Sequence, residues 1–191
     1  MEETPLEKKE IDALVRAVGG PAQARLLLQR GSVIMPAPSI STFQITVDYR
    51  RNLCLMIKDG HYDEVALEVA GGRFPVAESM RGSGTVSKTA SLVCFNRRIS
   101  SGEAHQRITD LTSEVPGKIE DLLAFFAAHS HRAKREKALL VALGTMPEVG
   151  CGSFQVPVVS CRDYTARLGF APYCRIWDPT TFFLGVANHL R

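Results

Sequence analysis

The chain has 191 residues, of which 45% are hydrophobic and 23% charged, with a formal net charge of +3. That balance is ordinary for a globular protein, and no apolar run reaches the roughly 20 residues that span a bilayer. So small a charge gives no general argument for nucleic acid, and five cysteines without an export signal argue against a disulfide framework.

The start, "MEETPLEKKE", is polar and lacks the basic-then-apolar pattern of a secretory leader, so a cytoplasmic protein is expected. Thr4 can cap a first helix, with Pro5 in its first turn and Glu7 completing a capping box. Ile11, Leu14, Val15 and Val18 give that helix one apolar face, and Gly19 and Gly20 stop it. A second helix runs from Pro21 to Gly31, and "GSVIMPAPSIS" then reads as a linker. The expected organisation is a helical arm over 1–34, a linker over 35–41 and a domain over 42–191.

"FQITVDY" alternates apolar and polar residues, the signature of a half-buried strand. "NLCLMIKDG" predicts a short helix. "YDEVALEVAGG" alternates Val65, Leu67 and Val69 and fits a strand or a helix, and "TVSKTASLVCFN" is strand-like. "SSGE" is a second capping box, opening a helix through Ile108 and Leu111. A further helix follows Pro116, with an apolar stripe of Ile119, Leu122, Leu123 and Phe126. "ALLVALG", "SFQVPVVS" and "TTFFLGVAN" are the remaining strand candidates, and 146–181 reads as rich in loops. Strands and helices mix without strict alternation. The expected fold is α+β: a small mixed or antiparallel sheet with packed helices, preceded by the N-terminal helical pair.

"GSGTVSKT" comes within one residue of a phosphate-binding loop, with Gly82, Lys88 and Thr89 in place and Ser87 where the second glycine belongs. Such a loop needs a buried strand before it and a helix starting at its Lys-Thr end. Here Pro75 interrupts the preceding stretch and the β-favouring Leu92, Val93, Cys94 and Phe95 follow, so a glycine-rich turn leading into a strand is expected.

Four other groups of residues can bear chemistry. "AHSHRAKREK" gathers His129, His131, Arg132 and Arg135 as an anion-binding candidate, or as the solvated cationic end of a helix. Arg97 and Arg98 stand beside a helix N-terminus, where anions bind. The glycine-flanked Cys151, with His129, His131 or His105, is the candidate for a catalytic pair. Spacings of the histidines and cysteines are irregular, so no metal and no cofactor are expected. Tyr164, Arg167, Tyr173, Arg175, Trp177 and Asp178 bring the residue types that dominate binding hot spots.

The stretches "LCLMIKDGHYDEV", "FPV", "GSGTV", "LVCFNRRISSGEA", "IEDLLAFFA", "LLVALGT", "VPVV" and "FFLGVA" occur in that order. They resemble a group of uncharacterised bacterial proteins with the pattern M-I-x-x-G-x-Y-D, F-N-R-x-I-S-S-x-E-A, V-A-L-G-[ST] and a closing F-L-x-V. The resemblance covers residues 43–187 and implies no assigned activity and no catalytic residue. The functional expectation is a non-catalytic domain that binds a protein or a small ligand through 146–181. The alternatives are a small hydrolase or transferase using Cys151, and a basic nucleic-acid-binding protein using Arg132 to Lys137. No membrane partner is expected.

Overall fold

The computed structural model describes residues 36–70, 83–147 and 153–187, all within the unit Pro36–Arg191. The expected helical pair over 1–34 lies outside the described residues.

Chain order begins with β1 (Ser39–Asp48), α1 (Leu53–Asp59), β2 (Glu64–Val65), α2 (Leu67–Ala70) and β3 (Thr85–Cys94). It continues with β4 (Ile99–Ser100), α3 (Ser101–Thr112), β5 (Val115–Pro116), α4 (Ile119–Arg135) and β6 (Leu139–Val141). It closes with β7 (Gln155–Arg162), β8 (Thr165–Pro172), β9 (Ile176–Trp177) and β10 (Thr181–Val186). Eight strands make one sheet in the order β1-β3-β10-β6-β7-β8-β2, with β5 beside β10. β6 runs parallel to β10 and β2 parallel to β8, while the other pairs are antiparallel. β4 and β9 form a separate two-stranded ribbon.

This sheet corrects the expected fold class. It is large rather than small, and among the described residues strand outweighs helix. The main cause is β8. "TARLGFAP" lies inside the stretch expected to be loops, yet it pairs along its whole length with β7, from Gln155↔Pro172 to Arg162↔Thr165. The turn joining them holds Asp163 and Tyr164 at φ 46 and 64, the left-handed pair of a type I′ hairpin. Asp163 suits that position, but Tyr164 does not announce it. Conversely, "YDEVALEVA" holds both predicted forms in sequence, β2 and then α2.

Side chains alternate between two cores, as the pleat requires. One face of the sheet carries Ile45, Val47, Ala90, Leu92, Leu140 and Leu168. Against it lies α4, whose Ile119, Leu122, Leu123 and Phe126 are fully buried, as their spacing predicts. The opposite face carries Val93, Val141, Val156 and Phe183 beneath Ala104 and Ile108 of α3. Ser100 caps α3 where predicted, its side chain accepting from the Glu103 amide, while the Glu103 carboxylate turns to Arg97 and Arg107 instead of closing the capping box. No helix among the described residues is long and apolar enough to cross a membrane.

Candidate functional site

The near-match to a phosphate loop resolves into a strand. Gly84, at φ 71, makes the turn and accepts from the Tyr49 amide at 2.9 Å; β3 then starts at Thr85. Gly82 lies outside the described residues. Lys88 points into the α4-side core, where its Nζ stands 3.0 Å from Asp121 Oδ1 and also hydrogen-bonds the Tyr49 hydroxyl. The Tyr49 hydroxyl donates to the same carboxylate oxygen at 3.2 Å. Asp121 Oδ2 in turn accepts the Lys118 amide at 2.9 Å, at the start of α4. Burial pulls the Lys88 ammonium pKa down, but Asp121 and Tyr49 outweigh it and leave it raised. Burial, with the Asp121 carboxylate, raises the Tyr49 hydroxyl. The lysine that sequence offered to a phosphate is committed to holding α4 on the sheet.

The other basic candidates are largely paired. Arg97 makes an ion pair with Glu103, which also accepts from Arg107 at 3.0 Å; Arg98 is exposed. Arg97 first, then burial in the opposite sense, leaves the Glu103 carboxyl pKa lowered overall. Arg132 pairs with Glu136 at 2.8 Å and lies over the Phe43 ring, and Lys134 pairs with Asp63 at 2.9 Å. Arg135 and His131 are exposed at the end of α4. His129 sits at a break in α4, against the Phe43 and Phe125 rings, with Nε2 3.3 Å from the Gln44 carbonyl.

Cys151 lies outside the described residues. Cys161, buried under α4, has its thiol pushed up to about 11 by burial, which keeps it protonated and unreactive at neutral pH. Among the described residues, no three His, Cys, Asp or Glu side chains gather as a metal would need.

The binding candidates divide by location. Trp177 is 0% exposed. It donates from Nε1 to Ser101 Oγ at 2.8 Å and meets Phe183 edge-on, so it belongs to the core beneath α3. Tyr173 is half-buried against the same core, and Asp178 is exposed beyond it. Tyr164 stands at the hairpin tip, 75% exposed. Arg167 and Arg175 are brought together with a third arginine, Arg162, which sequence did not single out. All three line one open hollow of about 650 Å³ on β7 and β8.

Strand pairing explains the hollow. Arg162 and Ser160 alternate with the buried Cys161 and Val159, and Arg167 and Gly169 alternate with Ala166 and Leu168. Residues of that parity face away from α4. α3 covers the neighbouring β10 rather than this part of the sheet. The floor is Val158, Gly169 and Ala171, side chains too small to fill the space. Arg175 lies over the Trp177 ring, 5.1 Å from its centre. Arg167 faces Glu64 across 3.5 Å. Neither Arg162 nor Arg175 has a carboxylate partner among the described residues.

No protein-family model, curated protein or solved structure matches the chain.

A second hollow, of about 410 Å³, lies between the free edge of β1 and Ala124, Ala127 and Ala128 of α4. Its charged rim is internally matched: Arg51 pairs with Asp59, and Asp48 is held by Arg50 at 3.0 Å. The β7–β8 trough also holds Asp63 and Glu64, but among the described residues these pair with Lys134 and Arg167 and leave Arg162 and Arg175 without a carboxylate.

Proposed function

We propose that this protein is a binding module that takes an anionic ligand in the trough on β7 and β8. The observation carrying this reading is the pair Arg162 and Arg175, both without a carboxylate partner among the described residues, on the rim of an open hollow floored by small residues. A guanidinium presents a planar fork that matches carboxylate or phosphate oxygens, and it keeps its charge at any physiological pH. Arg167 can turn from Glu64 to the ligand, since their contact is long and exposed on both sides. No nucleophile or general base has to be assigned for this role, which is why we favour binding over catalysis. The resemblance to an uncharacterised bacterial group supplies no competing activity.

The chain has a single tryptophan, and Arg175 lies against it, so the trough carries its own reporter. Titration with citrate at low ionic strength should change Trp177 fluorescence saturably. Arg162→Gln should weaken the apparent affinity by about tenfold, the worth of one charge-assisted contact. A non-saturating response, or an unchanged affinity in that variant, would remove the trough as the site.

A further inference from the structure

Resting on that anion-binding reading, the geometry points to a more specific ligand: an elongated small molecule with an anionic group at each end and an uncharged spacer between. The three arginines are not clustered at one point. Arg162 and Arg167 are brought side by side by the pairs Arg162↔Thr165 and Ser160↔Arg167, at the hairpin end of β7 and β8. Arg175 stands at the other end, past Pro172, where β8 finishes. Arg167 and Ala171 on the same strand are four residues apart, a strand length of about 13 Å, and Arg175 lies beyond Ala171. One small anion cannot satisfy both ends at once.

The carboxylates that line the trough, Asp63 and Glu64, lie at the hairpin end beside Ala166 and Arg167 and are taken up by Lys134 and Arg167, so the stretch between the two ends is uncharged among the described residues. Gly169 and Ala171 sit on the floor with Val158 opposite Gly169, so a chain of methylenes can lie along them. Gly169 is the key to the space. A Cβ placed there meets only Ala66 Cβ, at 3.6 Å, an ordinary contact. The backbone therefore does not need glycine at this position, and its absence of a side chain serves the hollow. Each end also holds its arginine differently. Arg175 is stacked on Trp177, which fixes its plane, while Arg162 has no stacking or ion-pair partner among the described residues and can adjust to ligand length.

The test is calorimetric titration of the full chain with a ladder of unbranched α,ω-dicarboxylates from succinate upward, with octanoate as the single-ended control. The affinity should peak at an intermediate length, about tenfold above both succinate and octanoate, as a second charge-assisted contact implies. Arg175→Gln should abolish the length dependence and leave short and long diacids alike. Gly169→Val, a strand-favouring substitution, should keep the melting temperature and lose the longer diacids. If every carboxylate binds with the same affinity whatever its length, the two-ended inference fails while the anion site stands. If none binds, both the inference and the proposed function fail.

Discussion

Lys88 shows how a residue's neighbours decide what its charge is for. Its side chain is 14% exposed and its partner Asp121 is 1% exposed, so neither can be stripped of the other without leaving a charge in the core. Lys88→Met should therefore lower stability by about 3 kcal/mol, the loss typical when one half of a buried pair is removed. Urea denaturation measures this, and a loss under about 1 kcal/mol would mean that water already reaches the pair. Glu114 makes a pH-dependent case. Burial raises its carboxyl, with the Ser91 hydroxyl, donating at 2.9 Å, opposing only part of the shift. A carboxyl whose folded-state pKa lies above its unfolded value favours folding below the unfolded value, and that contribution disappears as pH rises through the folded one. Relative to Glu114→Gln, the native protein should thus lose melting temperature between pH 4 and pH 8, starting from the ordinary glutamate range. A difference that stays constant across that range would mean that the fold leaves the Glu114 carboxyl at its ordinary value, and one that grows in the native protein's favour would mean that the fold lowers it.

Elements were legible where side chains made the pattern, and hidden where the backbone did. The stripe of α4 and the capping box at Ser100 are side-chain signals, and both elements appear where their residues place them. β1 and β3 likewise follow from alternation. The hairpin of β7 and β8 rests instead on two left-handed residues, and a tyrosine at φ 64 carries no turn signal. Tyr164→Asn should relieve that backbone and stabilise the protein by about 0.5–1 kcal/mol, read as a rise in the denaturation midpoint; a destabilised variant would show that the tyrosine ring earns its place by contacts. Missing this hairpin also hid Arg162, which lies past the strand candidate "SFQVPVVS" in the stretch read as loops, while Arg167 and Arg175 are singled out by residue type alone. Trp177 erred in the other direction: its residue type suggested a contact surface, whereas β9 pairs with β4 and turns the ring into the core. Trp177→Ala should cost about 3–5 kcal/mol of stability, since the ring fills the core beneath α3. Near-native stability in that variant would contradict its burial.

At the scale of the whole molecule, the sheet is covered unevenly. α4 and α1 close one face, while α3 closes the other over β10, β5 and the near part of β7 at Val156. Among the described residues, the part of that second face on β7 and β8 beyond this cover is left open and lined with Arg162, Arg167, Arg175 and small residues, with Asp63 and Glu64 at its edge. Lys134 and Arg167 take up those carboxylates, which leaves Arg162 and Arg175 without one among the described residues, whereas the charges beside β1 pair off. We propose that an anionic ligand lies on this open part of the face. Backbone amide shifts during titration with a mid-length dicarboxylate locate it. Saturable shifts are expected, centred on Ser160, Arg162, Arg167, Gly169 and Ala171, with β1 and β3 unmoved. Shifts centred instead on Arg132, Arg135 and the end of α4, or no saturable shifts anywhere, would contradict it.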